Sequence, residues 1–371
     1  LLSCLVPGMN ETLDYASLAP DCRVTTNMLP RALRSGFHAG GVSLLPLTYW
    51  AMARLLAAMR CDVAVAHVAP PDGRGLCSLG ISSDFTPLVW PNAACKVLLV
   101  NPSMPAIPRA PALPLAAADV VVTLDGPLVE APPSRSDPEA EVIAARVATL
   151  IPDGAHVQTG IGGAPGAIWR HLRDHRGLIL RSGMANDWLL DLREAGALAP
   201  DGAHLAAMAY GSRRFYEDLA RSDLVGFASV DRTHGLPELA QAPLLHSVNS
   251  ALEVDLFGQV NVEWQGDALS GGVGGAPDFM RGAVFSPGGR SIVALPSTAK
   301  GGTLSRIVTR IGKPAVGIAR SDIDTVVTEN GVAELRAKGV DERAEAMIAI
   351  ADPRFRKGLA EEWRALRQAL V

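Results

Sequence analysis

Short runs of Val, Leu, Ile and Ala alternate with segments of helical periodicity along most of the chain. Each run has the length of a buried β-strand, and alternating strands and helices favour parallel sheets covered on both faces. Helices are expected near 167–175, 341–351 and 353–370. The candidate strands are residues 62–68, 96–100, 119–124, 155–159, 178–181, 204–210 and 224–229.

The composition fits a large α/β protein and argues against several other classes. The chain has 371 residues, which is too long for one ordinary core, so two α/β domains are expected. Hydrophobic residues make up 48% of it but aromatic residues only 5%, so small aliphatic side chains fill the core. The net charge of −4 gives no broad basic field for nucleic acid or anionic lipid.

The cysteines and the hydropathy indicate the compartment. All five cysteines lie within the first 95 residues, at spacings that match no metal or redox motif, which predicts buried thiols in a reducing compartment. No apolar stretch approaches the ~20 residues of a membrane span. Residues 1–9 lack the basic start of a signal peptide. We therefore expect a cytoplasmic protein with neither a membrane nor a nucleic-acid partner.

A proline-containing break, EAPPSRS at residues 130–136, is the best candidate for a domain boundary. A new helical segment begins directly after it, as is typical of a linker between two folded units. The expected domains are therefore residues 1–135 and 136–371.

The segment SVNSALEVDLFGQ at 247–259 is the most informative for chemistry. On a single strand, its apolar residues would share one side and its small or polar residues the other. The two sets are Val248, Leu252, Val254 and Leu256, and Asn249, Ala251, Glu253 and Asp255. A solvated strand face is the ordinary explanation for a Glu, but the glycine-rich run 270–278 follows closely and lets another molecule approach the main chain.

Two other motifs carry less information. Residues 160–163, Gly-Ile-Gly-Gly, resemble an anion-binding turn, although such turns often only join packed elements. Their spacing differs by one residue from the dinucleotide pattern, and Asp187 lies too far along to contact a ribose. His171 and His175 have the spacing of a metal pair, but with no third ligand nearby we expect surface residues and no metal.

Five segments in the second half carry a more specific pattern: SALEVDLFGQV (250–260), GVGGAPDFMRGA (272–283), LPSTAK (295–300), SRIV (305–308) and VTENGVAEL (327–335). Together they resemble the acetyl-CoA hydrolase/transferase family, the family I coenzyme A transferases. Within that family they are most similar to 4-hydroxybutyrate and butyrate:acetate CoA-transferases. Further matches at 70–80, 101–105 and 160–165 extend the resemblance over nearly the whole chain.

The resemblance implies two similar α/β domains of CoA-transferase type, with the active-site cleft between them and the nucleophilic glutamate at Glu253. The implied activity is that of an acyl-CoA:carboxylate CoA-transferase, with coenzyme A or acyl-CoA as substrate, no metal, and a homo-oligomeric assembly. In this ping-pong chemistry the glutamate becomes a CoA thioester, and the amide of Gly331 is the implied oxyanion donor. The implied coenzyme A contacts are Val230, Asp231, Arg232, Thr233, His234, Gly274, Gly275, Val327 and Gly331.

The chain departs from the family pattern at several places. Gly183 stands where the family usually has Glu, Asp352 where it has His, and Trp264 where small residues are common. The first domain is also expected to lack its usual first segment. Two alternatives stay open: an acyl-CoA hydrolase on the same fold, and a non-catalytic protein that binds CoA thioesters.

Overall fold

The computed structural model describes residues 1–4, 14–132, 137–200, 202–269 and 271–370. Residues 133–136 of the predicted break at 130–136 lie outside these residues. A helix begins at Pro138, directly after the break, and the side chain of Asp137 caps its first turn by accepting a hydrogen bond from the amide of Glu139.

The part of the chain before the break forms two three-stranded parallel sheets and one antiparallel pair. The sheet orders are β1-β2-β3, β4-β6-β8 and β5-β7. The strands are β1 (Leu2–Ser3), β2 (Val24–Thr26), β3 (Val42–Leu44), β4 (Cys61–Val68), β5 (Leu76–Ser78), β6 (Ala93–Val100), β7 (Ala112–Pro114) and β8 (Val120–Thr123). The α-helices are α1 (Arg34–His38), α2 (Tyr49–Ala58) and α3 (Thr86–Val89).

The part after the break is larger and contains the remaining strands and α-helices. Its strands are β9 (His156–Thr159), β10 (Ile179–Ala185), β11 (His204–Ala209), β12 (Val225–Phe227), β13 (Leu245–Asn249), β14 (Glu253–Asp255), β15 (Val260–Asn261), β16 (Trp264–Gln265), β17 (Ala268–Leu269), β18 (Arg290–Ala294), β19 (Thr298–Ala299), β20 (Leu304–Ser305), β21 (Ile307–Val308), β22 (Thr325–Thr328) and β23 (Gly331–Glu334). Its α-helices are α4 (Pro138–Ala148), α5 (Gly163–Ala167), α6 (Trp188–Glu194), α7 (Arg213–Leu219), α8 (Val230–Thr233), α9 (Leu236–Gln241), α10 (Ala276–Phe285), α11 (Val340–Ile350) and α12 (Pro353–Gln368).

An eight-stranded sheet organises this second part, in the order β12-β11-β10-β9-β13-β18-β22-β23. All neighbouring strands are parallel except β22 and β23. From β9 the chain adds strands on one side through β12 and then returns to the other side of β9 with β13. The order therefore reverses between β9 and β13, and at such a switch point the carboxyl ends of neighbouring strands open a crevice.

The central strands are buried on both faces, which confirms the expectation of α/β layers. Ile292 and Val293 are adjacent on β18 and fully buried, yet they belong to different hydrophobic clusters on the two faces of the sheet. One cluster includes α4 and the other includes α11 and α12. Burial of each such side chain contributes roughly 1.5–3 kcal/mol, so both helical layers are needed to cover the sheet.

Two local predictions are wrong. The helix expected at 167–175 is instead the short α5 followed by a 3₁₀ turn, Ile168–Leu172. The single strand expected at 247–259 is broken: β13 ends at Asn249 in the large sheet, and β14 begins at Glu253 in a separate sheet of order β15-β14-β21. The described helices include none that is both long and apolar enough to cross a membrane.

Candidate active site

A cavity of about 440 Å³ opens at the switch point of the large sheet. It is lined by the carboxyl ends of β9 and β13, by residues 182–184 of β10, and by the glycine run 271–275. Met28, Tyr49 and Asp84, from the part of the chain before the break, complete its wall. The volume falls within the range of small-molecule sites, and the position follows the rule for ligand crevices in open α/β sheets.

The ends of β9 and β13 are joined by a buried polar network. Gln158 Oε1 accepts hydrogen bonds from Ser247 Oγ at 2.6 Å and from Asn249 Nδ2 at 3.0 Å. Asn249 Oδ1 in turn accepts from Gln158 Nε2 at 3.3 Å. Because these side chains satisfy one another, polar groups can be buried at the base of the cavity without a large cost.

Glu253 lies at the edge of this cavity. Of the described residues, those that line it include its neighbour Leu252 but not Glu253 itself. The side chain is half-buried, and its Oε1 accepts a hydrogen bond at 3.0 Å from Nδ2 of Asn261, the facing residue on β15. The Asn261 side chain is itself held by two hydrogen bonds with the main chain of Trp264: Nδ2 donates to its carbonyl, and Oδ1 accepts from its amide. One carboxylate oxygen is therefore anchored by a fixed donor.

Asp255 lies two residues after Glu253, but the two carboxylates have different surroundings. The Asp255 side chain is fully buried and accepts hydrogen bonds from the amides of Phe257 and Gln259 and from Gln259 Nε2, at 2.8–3.0 Å. The sequence predicts Asp255 with Glu253 on the polar side of one strand, but it is fully buried, because its carboxylate closes the turn between β14 and β15. Asn249 and Ala251 are also buried.

Arg306 stands beside Glu253. Val254 on β14 pairs with Ile307 on β21, so the residues that precede them occupy neighbouring positions. Arg306 lines the cavity, and its Nη1 donates a hydrogen bond to the carbonyl of Ala251 at 3.2 Å.

His234 is a buried, neutral group on the cavity wall. Its ring lies 4.5 Å from that of Phe279 and 5.3 Å from that of Tyr49, and Nδ1 shares a hydrogen bond with Thr233 Oγ1 at 2.8 Å. Burial lowers its pKa to about 3. A Cβ atom at Gly183 or Gly275 would lie 3.1 or 2.5 Å from its Nε2, so both glycines make room for the ring.

Two carboxyl groups connect the first part of the chain to the cavity. Asp84 lines it and accepts a hydrogen bond from Ser82 Oγ at 2.8 Å. Burial raises the pKa of Asp84 to about 6. Asp278 on α10 accepts a hydrogen bond from the amide of Trp50 at 2.9 Å, and burial raises its pKa to about 6 as well. Asp278 thus ties α10 to the start of α2.

The structure brings together only some of the coenzyme A contacts implied by the sequence. His234, Gly274 and Gly275 line the cavity. The described lining of the cavity does not include helix α8, which consists of Val230, Asp231, Arg232 and Thr233. Val327 and Gly331 are likewise outside the lining.

Gly331 begins β23 after the turn at Glu329 and Asn330. The turn contacts Ser297, whose amide donates to Glu329 Oε2 at 2.9 Å. Ser297 in turn accepts a hydrogen bond from the amide of Arg306. The Gly331 turn is therefore connected to the neighbourhood of Glu253 through Ser297 and Arg306.

Sequence reasoning missed Asp84, Asn261 and Asp278 as site residues. Asp278 lies within the glycine-rich motif and Arg306 within SRIV, so these motifs include both residues without indicating their individual roles. Asp84 carries a positive φ of 31°, which no sequence pattern signalled.

The positions where the chain departs from the family pattern are all placed by the structure. Gly183 lines the cavity against His234. Trp264 packs beside Asn261, and its buried Nε1 has no hydrogen-bond partner among the residues that the structure describes. Asp352 caps α12, and its hydrogen bonds with Arg354 lower its pKa to about 2.

The two spaced histidines do not converge on a common ligand. His171 Nε2 lies 2.8 Å from Glu141 Oε2, whereas His175 Nε2 lies 3.0 Å from the carbonyl oxygen of Ile151. The described residues contain no group of three or more His, Cys, Asp or Glu side chains arranged to hold a metal ion.

Comparisons with known proteins show which family the chain is similar to. Residues 211–363 match the model of the acetyl-CoA hydrolase/transferase C-terminal domain. The chain is 34% identical over 340 residues to 4-hydroxybutyrate coenzyme A transferase of Clostridium kluyveri, covering 89% of this chain and 79% of that protein. It is 30% identical over 318 residues to butyryl-CoA:acetate CoA-transferase of Anaerostipes caccae, covering 81% and 71%.

A solved structure extends the similarity to three dimensions. The crystal structure of RipA from Yersinia pestis superposes with a TM-score of 0.85 at 31% identity, covering 93% of this chain and 82% of that chain. The similarity therefore extends across both sides of the cavity.

Proposed function

Since this chain belongs to the acetyl-CoA hydrolase/transferase family, we propose that it is a coenzyme A transferase, which transfers coenzyme A from an acyl-CoA to a carboxylate through a thioester on Glu253. The observation that carries the proposal is the position of this carboxylate. It lies half-buried at the edge of a cavity at the switch point, with one oxygen anchored by Asn261. A nucleophile needs this combination of fixed orientation and access.

The chemistry proceeds in two matched halves. A Glu253 oxygen attacks the acyl-CoA carbonyl, the C–S bond breaks, and the thiolate leaves behind an acyl-glutamyl anhydride. The thiolate then attacks the glutamyl carbonyl and expels the acid, which gives the enzyme thioester. An acceptor acid reverses both steps, so the energy of the thioester is kept. Each attack develops an oxyanion, for which we propose the Gly331 amide as a donor.

The remaining site assignments follow the same proposal. His234, Gly274 and Gly275 would contact the thioester end of the acyl-CoA within the cavity. Val230, Asp231, Arg232 and Thr233 on α8 and Val327 on β22 would contact more distant parts of the substrate. The domains would be residues 1–135 and 136–371, with both contributing to the cavity wall and the catalytic glutamate in the second.

A covalent trap tests the nucleophile. Incubation with acetyl-CoA and no acceptor should leave coenzyme A attached to the protein, seen as a mass gain of coenzyme A less one water. Borohydride should reduce the thioester and mark Glu253 in a peptide map. Glu253→Ala should abolish the adduct and the transfer, whereas labelling at Asp255 would overturn the assignment.

The same preparation distinguishes transfer from hydrolysis. With butyrate added, a transferase makes butyryl-CoA, whereas a hydrolase on this fold releases free coenzyme A whether or not the acid is present. A protein that only binds CoA thioesters would give neither product. Formation of butyryl-CoA in amounts that rise with butyrate is the outcome that supports the proposal.

A further inference from the structure

The cavity carries a single positive charge among its described lining residues, the guanidinium of Arg306. His234 is the other basic side chain there, and it is uncharged because burial lowers its pKa to about 3. Much of the remaining wall is apolar, including Met184, Met208 and Phe279. A cation in such surroundings interacts strongly with an entering anion, because little water screens it.

The position of Arg306 is fixed by its main chain. Its amide donates a hydrogen bond to the carbonyl of Ser297 at 2.8 Å, and its carbonyl accepts one from the amide of Val254, also at 2.8 Å. Nη1 is held by the carbonyl of Ala251 at 3.2 Å. Two main-chain hydrogen bonds thus place the residue, and one side-chain hydrogen bond orients its guanidinium before any ligand binds, as a preorganised site requires.

The guanidinium nevertheless has unused donor capacity. Its Nε is buried and has no hydrogen-bond partner, and Arg306 forms no ion pair within the described part of the chain. Glu139 is near enough for its charge to interact with that of Arg306, but the two make no direct bond. Because Arg306 lines the cavity, the donors of its guanidinium that remain free are placed to meet a ligand that brings an acceptor.

The strand register places Arg306 next to Glu253, the proposed nucleophile. Val254 pairs with Ile307, so Glu253, the first residue of β14, and Arg306, the residue directly before β21, occupy neighbouring positions. On its other side, Glu253 is bonded to Asn261. An anion bound by Arg306 would therefore lie beside the carbonyl carbon of a Glu253 thioester.

We propose that Arg306 binds the carboxylate of the acceptor acid and holds it against the thioester on Glu253; this inference rests on the proposed function. One carboxylate oxygen attacks the γ-carbonyl carbon of Glu253, the C–S bond breaks, and the thiolate leaves with the electron pair. The resulting anhydride is then attacked by the thiolate at the acyl carbonyl, which returns the Glu253 carboxylate. The guanidinium fork suits this role because its donors match the two oxygens of a carboxylate.

The test compares a charged and an uncharged nucleophile on the same loaded enzyme. Wild-type and Arg306→Gln proteins are charged with coenzyme A from acetyl-CoA, freed of excess substrate, and discharged with either acetate or hydroxylamine. Hydroxylamine is largely neutral near pH 7; its nitrogen attacks the glutamyl carbonyl, and a proton passes to the departing thiolate. Loss of one charged hydrogen-bonding partner should slow the acetate reaction about tenfold to a hundredfold, with hydroxylamine discharge nearly unchanged.

Each other outcome overturns the role. Equal slowing with both nucleophiles would make Arg306 a structural residue, and unchanged acetate discharge would exclude it as the anchor. A higher KM for acetyl-CoA without a change for acetate would mean that Arg306 binds a phosphate of coenzyme A. If Arg306→Gln does not fold or load, Arg306→Lys keeps the charge but loses the fork; its steady-state KM for acetate should rise severalfold, and an unchanged KM would equally refute the proposal.

Two controls separate this inference from the proposed function. Arg310→Gln removes an exposed arginine four residues further along and should discharge with acetate like the wild type. If wild-type protein forms neither adduct nor product, the proposed function itself fails. If it does both and Arg306→Gln matches it, only the assignment of Arg306 fails.

Discussion

A Cβ atom at Gly160 would lie 2.3 Å from Oδ1 of Asn249, so the ends of β9 and β13 approach each other too closely for any side chain at residue 160. Because residue 160 has no side chain, β9 and β13 lie close together at the switch point, where Gln158 and Asn249 form their hydrogen bonds. Gly160 is therefore required by packing, whether or not the 160–163 turn binds an anion.

Gly160→Ala should disturb both folding and catalysis. The new methyl group would displace Asn249 and leave buried amide groups unpaired, at a cost of roughly 1–3 kcal/mol in the free energy of unfolding. Urea unfolding and the transfer rate measure the two effects. Gly166→Ala is the matched control, because a Cβ there would meet no atom within 4 Å among the described residues outside its own helix; equal behaviour of the two variants would contradict the packing argument.

Glu253→Asp should separate catalysis from stability. The shorter side chain withdraws the attacking oxygen by about 1 Å, which can cost about a hundredfold in rate. Its half-buried position predicts little change in the unfolding midpoint. Single-turnover formation of the coenzyme A adduct is the direct measurement, and a rate within a few-fold of wild type would argue against nucleophilic attack from this position.

Asp255→Ala should show the opposite pattern. It would leave the amides of Phe257 and Gln259 without their buried acceptor, which should lower the free energy of unfolding by about 1–3 kcal/mol. In the proposed mechanism the Asp255 carboxylate takes no part in the chemistry, so protein that remains folded should still be labelled at Glu253. A stable variant that cannot be labelled would instead give Asp255 a catalytic role.

Gly331→Val tests the proposed oxyanion donor. A branched side chain at this residue, whose Cβ would lie 3.4 Å from Ile350, should shift the main-chain amide. Loss of one such donor is expected to lower turnover about a hundredfold or more, with little change in coenzyme A binding measured by calorimetry. Gly331→Ala is the milder comparison, and full turnover in a folded Gly331→Val protein would remove the role.

Asp84 should make stability depend on pH. Burial raises its pKa from 3.8 to about 6, so the folded state holds the proton more tightly than the unfolded state. The stability contribution is fully present below pH 3.8 and is lost as the pH rises through 6. Compared with Asp84→Asn, the wild type should therefore lose stability between pH 4 and pH 7, by at least about 1 kcal/mol.

Urea titrations of the two proteins across this pH range provide the measurement. The buried His234, whose pKa is lowered from 6.5 to about 3, acts in the opposite direction, since its contribution is lost as the pH falls. Its effect is common to both proteins and cancels in the difference. A difference that stays constant with pH would show that the Asp84 carboxyl titrates normally.

Several features of this protein follow from the sequence alone. The apolar runs predict β4, β6 and β8–β12 to within a few residues, because strands of parallel sheets are typically continuous apolar runs. The terminal helices α11 and α12 are predicted equally well from their periodicity. The motif around Glu253 is local in sequence, so the order of residues is enough to identify the family and the candidate nucleophile.

Other features were decided only by the tertiary structure. The segment 247–259 is divided between two sheets, with β13 in one and β14 in the other. The alternation of apolar and polar residues along the segment does not show where the first strand ends. Asp84 and Arg306 lie far apart in sequence, and both line the cavity only because the fold brings distant strands and loops to the switch point between β9 and β13. Pairing between distant strands is long-range, so the sequence determined the elements and the candidate nucleophile, whereas the fold determined which charges surround it.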